Sequence, residues 1–84
     1  MTEIILHFTE IYPVSEDKDI LKTLGENIKK KRQELKLSQE ALSFDANIPR
    51  TQLGRIERGE INTTVLTLYK ISEALKIELA QLLP

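Results

Sequence analysis

The 84-residue chain has no cysteine, so neither disulfides nor thiolate metal sites can hold it together, and a reducing compartment is the expectation. No apolar run approaches the roughly 18 to 20 residues needed to span a bilayer. The first residues lack the basic start and small-residue cleavage pattern of a signal peptide. A soluble cytoplasmic protein without a membrane partner is therefore expected. Catalysis is equally short of material. The single histidine, His7, sits in an apolar stretch and reads as a strand side chain. The sequence has no nucleophile elbow, phosphate-binding loop or metal-ligand cluster. Glu16, Asp17 and Asp19 suit a helix start better than a metal site. No enzyme activity, small-molecule substrate, cofactor or metal is expected, and the length allows one small domain with a modest core.

Net charge is also nearly absent, −1 at pH 7, but its distribution is uneven. Residues 1–27 carry six acids and two lysines, giving −4. Residues 28–58 carry eight bases (Lys29, Lys30, Lys31, Arg32, Lys36, Arg50, Arg55, Arg58) against four acids, giving +4. Residues 59–84 carry three acids and two lysines, giving −1. A basic middle third in a nearly neutral protein is the footprint of a localised polyanion site, or else a solvated basic face.

Residues 3–12, EIILHFTEIY, are β-branched and aromatic, with Ile4, Leu6 and Phe8 on one face and Pro13 closing the run. This pattern predicts a strand. A lone strand leaves its ladder hydrogen bonds unmade, so pairing with its copy in a second subunit is the expectation; a flexible arm or an added helical turn is the alternative. Everything after it reads as helix. A first helix starts between Ser15 and Asp19 and runs to about Leu35, with Ile20, Leu21, Leu24, Ile28 and Leu35 near one face. Ser38 caps a second, from Gln39 to about Asp45. Asn47 tolerates the left-handed turn that follows, and Pro49 starts a third helix at 49 or 50. Gly59 ends it. Asn62, Thr63 and Thr64 offer caps for a fourth helix with apolar positions at Val65, Leu66, Leu68, Ile71, Ala74 and Leu75. A last turn spans Glu78 to Leu83, with Leu79, Leu82 and Leu83 apolar.

The stretch RTQLGRIERGE, residues 50–60, combines helical spacing with excess arginine and a glycine in its middle. On a wheel of about 100° per residue, Arg50, Thr51, Gly54, Arg55 and Arg58 form one polar stripe with Gln52 at its edge. Leu53 and Ile56 point the other way, with Glu57 at the margin. Arginine matches the two major-groove acceptors of guanine, and Thr or Gln can meet other base edges or phosphates. Gly54 costs about 1 kcal/mol of helix stability relative to alanine; facing outward, it gives the stripe room against a neighbouring surface. An ordinary solvated face with an incidental glycine is the plainer reading.

Residues 24–83 resemble the helix-turn-helix domain of Cro and phage repressors, the lambda-repressor-like or XRE type. The resemblance lies in LGENIKKKRQELKLSQEAL, ANIPRTQLGRIERGEIN and LTLYKISEALKIELAQLL, in that order and spacing. It implies an all-α bundle of four to five short helices with a helix-turn-helix, here carrying an N-terminal strand-like extension. Residues 1–16 would be that extension and 17–84 the DNA-binding domain. The family pattern puts the helix from about 50 to 57 in the major groove. Arg50, Thr51 and Arg55 fall on base-reading positions. Gln39 and Gln52 fall on positions that hold phosphates or flanking bases, and Asn62 and Thr63 on a phosphate-contacting segment. Arg32 and Glu57 match a structural ion pair. Glycine is frequent in the family where Lys36, Asn47 and Lys76 stand. Thr63 replaces a frequent proline, and Pro49 a serine-like cap.

The function so implied is a sequence-specific DNA-binding transcriptional regulator, with double-stranded DNA as ligand and a near-palindromic operator read by a homodimer. Self-association would use Ile4, Leu6 and Phe8, the C-terminal Leu79, Leu82 and Leu83, or both. Three other readings stay open: an antitoxin whose arm clasps a toxin, a restriction-modification controller, and a protein-interaction module that has lost DNA binding. If the N-terminal run pairs between subunits, removing residues 1–14 will weaken dimerisation and lower stability; an unchanged dimer by sedimentation would refute that pairing.

Overall fold

The computed structural model describes residues 16–84, so the expected strand and its Ile4, Leu6 and Phe8 lie outside the described residues. Four α-helices follow one another: α1 (Asp17–Glu34), α2 (Gln39–Ala46), α3 (Arg50–Glu57) and α4 (Val65–Ala74), then a 3-10 turn, Leu79–Gln81. Among the described residues there is no strand, in keeping with the all-α expectation.

Local chemistry accounts for most boundaries. Asp17 and Asp19 place negative charge in the first turn of α1. The Ser38 hydroxyl accepts from the Ala41 N–H at 3.0 Å, capping α2. Of the three caps available for α4, Thr64 is used, accepting from the Thr67 N–H at 3.1 Å. Pro49 precedes α3 with extended backbone and no side-chain cap, so α3 starts at Arg50.

The core is built from Leu24, Ile28, Leu42, Ala46, Leu53, Ile56, Leu68, Ile71, Leu75 and Leu82. Burial of each large aliphatic side chain contributes about 1.5–3 kcal/mol. The Asn27 amide donates to the Leu82 carbonyl at 2.9 Å, which ties the C-terminal turn to α1. Some expected apolar positions stay in solvent. Ile20, in the first turn of α1, and Leu35, just past its end, are exposed. Val65 and Leu66 are exposed at the start of α4, whose buried positions are Leu68, Ile71 and Ser72.

All four helices end in the same hydrogen-bond pattern. After α1 the Leu37 N–H reaches the Arg32 carbonyl (3.0 Å) and the Lys36 N–H that of Gln33 (2.9 Å). The same pairs recur as Ile48 to Ser43 with Asn47 to Phe44, Glu60 to Arg55 with Gly59 to Ile56, and Ile77 to Ser72 with Lys76 to Glu73. Each pattern needs one left-handed residue, and these are Lys36 (φ 59°), Asn47 (57°), Gly59 (70°) and Lys76 (59°). The positions where the family often has glycine are thus left-handed here too. Leu37, Ile48 and Ile77, which follow three of them, pack against the core and drive the chain into the turn.

Two of the glycines stand where space is closed to a side chain, and at Gly59 the left-handed backbone (φ 70°) favours glycine as well. A Cβ on Gly59 would lie 2.8 Å from the Lys22 Cα. One on Gly25 would lie 2.4 Å from the carbonyl oxygens of both Ile56 and Glu57. The backbone of α1 therefore rests directly on the end of α3, and this contact sets the angle at which α3 is presented. Gly59→Ala is expected to lower the melting temperature sharply. Lys36→Gly and Lys76→Gly should each raise stability by about 0.5–1 kcal/mol, the left-handed strain relieved less the extra freedom given to the unfolded chain. Thermal unfolding of the three variants checks both signs.

Candidate nucleic-acid interface

Helix α3 is held from behind by a buried ion pair. The Arg32 Nε donates to Glu57 Oε2 at 2.8 Å and its Nη2 to Oε1 at 2.9 Å, a two-pronged contact. The side chains are 11 % and 2 % exposed. The third donor, Nη1, reaches the Leu37 carbonyl at 2.9 Å, in the connection between α1 and α2. Hydrogen bonding to Glu57 raises the Arg32 pKa above its already high value, against the opposing effect of burial. The ion pair expected from the resemblance is thus formed, and it also reaches α2: Gln39 Nε2 donates to Glu57 Oε1 at 3.1 Å. Because a carboxylate only accepts, the Gln39 amide must turn its nitrogen to Glu57, leaving Oε1 and one N–H free.

The opposite side of α3 faces solvent. Arg50, Thr51 and Arg55 are exposed, and together with Gly54 and Arg58 they line one shallow depression. Arg50 Nη1 lies 4.0 Å from Glu40 Oε2, a loose exposed contact that leaves the guanidinium free to turn outward. Gln52 is half-buried and does not line the depression. Asn62 is exposed but borders a different hollow, with Asp17, Ile20 and Leu21 beside the start of α1.

Three expectations need correction. Gly54 does not face open solvent: it is buried on the arginine stripe, because the start of α2 crosses above it. The position of a Cβ there lies 3.1 Å from Arg58 Nη1 and 3.6 Å from Gln39 Oε1. The glycine makes room for these side chains first. The Thr63 hydroxyl does not face outward toward a phosphate in this conformation: Oγ1 is buried, with no hydrogen-bond partner among the described residues. Leu82 is fully buried in its own core and cannot reach a second subunit directly. Leu79 also packs on that core, which leaves Leu83 as the exposed member of the three.

Sequence reasoning missed two features. One is Gly25, whose lack of a side chain lets α1 reach α3; its signal was a glycine in mid-helix among good helix formers. The other is Glu60, whose carboxylate engages Arg58 through Nε and, at 3.4 Å, through Nη2. A basic and an acidic residue two apart carried no usual helix-pair signal, because the pair forms across the end of α3.

Comparison with known proteins places this geometry among familiar ones. The helix-turn-helix family HTH_3 matches residues 28–82, well over half of the chain. The control protein C.SmaI of Serratia marcescens is 38% identical over 65 residues, covering 77% of this chain and 77% of that protein. The immunity repressor of Bacillus phage phi105 is 40% identical over 58 residues, 69% of this chain and 40% of the repressor. Among solved structures, the restriction-modification controller protein C.AhdI from Aeromonas hydrophila superposes with a TM-score of 0.73 at 34% identity. That match covers 74% of this chain and 94% of C.AhdI.

Two substitutions at this site should move stability in opposite directions. Glu57→Ala strands a buried guanidinium and is expected to cost about 3–5 kcal/mol. Thr63→Val removes an unpaired hydroxyl at nearly constant volume and is expected to add about 1 kcal/mol. Melting temperatures equal to the parent's would refute both.

Proposed function

This chain belongs to the helix-turn-helix family HTH_3, a family of DNA-binding transcriptional regulators and not of enzymes, and we propose that it reads a specific DNA site through α3. The observation that carries this reading is the exposed cluster of Arg50, Thr51 and Arg55 around one depression, on a helix whose other face is locked to α1. Laid in a major groove, Arg50 and Arg55 can each offer paired donors to guanine, and Thr51 a hydroxyl to a neighbouring base or phosphate. Gln39 retains one N–H for a phosphate at the start of α2. Gln52 and Asn62 do not line that depression, and flanking contacts are the role we assign them. At position 63 the contact would come from the backbone, because the hydroxyl is buried.

A single α3 of eight residues spans few base pairs, and a homodimer reading a near-palindromic operator fits this economy. Val65, Leu66 and Tyr69, exposed on one face of α4, together with Leu83 and the extension at 1–16, are the apolar surface a second copy could use. No helix among the described residues is long and apolar enough to cross a membrane, and the site of action we propose is the cytoplasm, where the DNA is.

A narrower reading has specific support. C.SmaI and C.AhdI are both control proteins by name, and C.AhdI is a restriction-modification controller. A restriction endonuclease or methyltransferase gene beside this one would favour that role. For DNA binding itself, selection of sites from random duplex should return a two-fold-related motif, with affinity falling steeply as salt rises. Arg55→Ala should cost about 1–3 kcal/mol and relax one base position per half-site without changing the melting temperature. A protein that binds no duplex at low salt would instead be an interaction module with this fold.

A further inference from the structure

We propose that Arg58 is a phosphate-binding residue of the DNA face and that Glu60 occupies it in the free protein, acting as an intramolecular substitute for phosphate. The proposal rests on the DNA-binding reading above and concerns how strongly the site takes hold of DNA regardless of sequence.

Arg58 is the residue just past α3, and it continues the line of Thr51 and Arg55 at intervals of four and three. It borders the same depression as Arg50, Thr51 and Arg55. Its Nε and Nη2 both engage the Glu60 carboxylate, the paired-donor geometry with which arginine also grips a phosphate. The remaining nitrogen, Nη1, lies over Gly54 and points across the floor of the reading face. A carboxylate thus already sits where one phosphate oxygen pair would sit.

The pair is built to be exchanged. Its side chains are 58 % and 44 % exposed, so the contact is screened and weak. By contrast, the Arg32–Glu57 pair one turn away is buried and out of reach of a phosphate. Glu60 also feels Arg55: its carboxyl is held below the usual range first by the hydrogen bond from Arg58, against a smaller opposing effect of desolvation, with the charges of Arg58 and Arg55 adding to the lowering. In the free protein Glu60 therefore cancels part of the positive potential of the face. When DNA arrives, phosphate competes with Glu60 for Arg58, and the displaced carboxylate faces other phosphates. Both effects reduce the sequence-independent part of binding, which comes almost entirely from phosphate contacts. Base contacts by Arg50 and Arg55 are left intact, so the device tempers general attraction to DNA without removing the means of reading it.

The test uses the full chain and four proteins: parent, Glu60→Gln, Arg58→Gln and the double variant. Each is titrated with a mixed-sequence duplex across a salt series, with melting temperatures confirming that these exposed changes leave the fold intact. Glu60→Gln should bind roughly threefold to tenfold tighter than the parent, with a log–log salt slope steeper by up to about 0.9, since in the parent Glu60 holds Arg58 from phosphate in part of the bound population. In the Arg58→Gln background the same change should leave the salt slope where it was and alter affinity by less than about twofold. An equal gain in both backgrounds would show Glu60 to be a plain surface charge and overturn the proposal. So would no gain in either. If neither parent nor variants bind duplex at low salt, the DNA-binding reading falls and this proposal with it. If Arg55→Ala weakens the parent while Glu60→Gln is silent, only the proposal falls.

Discussion

The buried pair between Arg32 and Glu57 is the interaction on which the rest of this structure depends. One guanidinium joins three segments: it holds the end of α3 through Glu57, and the connection into α2 through the Leu37 carbonyl. The same carboxylate accepts from Gln39, so the first residue of α2 is oriented by the pair as well. A buried ion pair gives little net stability over a well-packed apolar contact, but it is directional, and loss of either partner leaves the other uncompensated. Its effect here is geometric: the angle between α2 and α3 is tied to α1.

That tie works because the backbones come close. Gly25 of α1 lies against the last carbonyls of α3, and Gly59 lies against the backbone of α1 at Lys22. Two glycines far apart in sequence thus open both sides of one helix contact. The left-handed residue after each helix turns the chain within a few residues, so that among the described residues four helices enclose a core of ten side chains. Lys36, Asn47 and Lys76 adopt the same left-handed conformation without being glycine, whereas at Gly59 the Lys22 backbone leaves no room for a Cβ. In a domain this small there is little spare burial, and shape is secured at helix ends and by one ion pair as much as by core volume.

The low net charge is now understandable. The acids near α3 differ in kind: Glu57 is buried and belongs to the scaffold, while Glu40 and Glu60 are exposed beside Arg50 and Arg58 and lower the potential of the face that carries them. A chain that is nearly neutral in sum can present a basic surface locally, and exposed acids beside its arginines set how basic that surface is.

Much of this was legible in the residues. Cap chemistry at Ser38 and Thr64, the proline at 49 and the glycine at 59 place helix boundaries within a residue or two, because these are local properties of the backbone. Periodicity separates Leu53 and Ile56 from Arg50, Thr51 and Arg55 for the same reason. What periodicity reports is the direction a side chain leaves its helix, not what lies there. Whether Ile20 and Val65 are covered, whether Leu82 faces its own core or a partner, and whether Gly54 is open or roofed by Gln39 and Arg58 depend on helices distant in sequence. The orphaned Thr63 hydroxyl and the grip of Glu60 on Arg58 belong to the same class. The sequence by itself determined the helices, their ends and the residues that could be proposed to meet DNA. Only the tertiary structure decided which of those residues are free to do so, because burial and pairing are properties of neighbours brought together by folding.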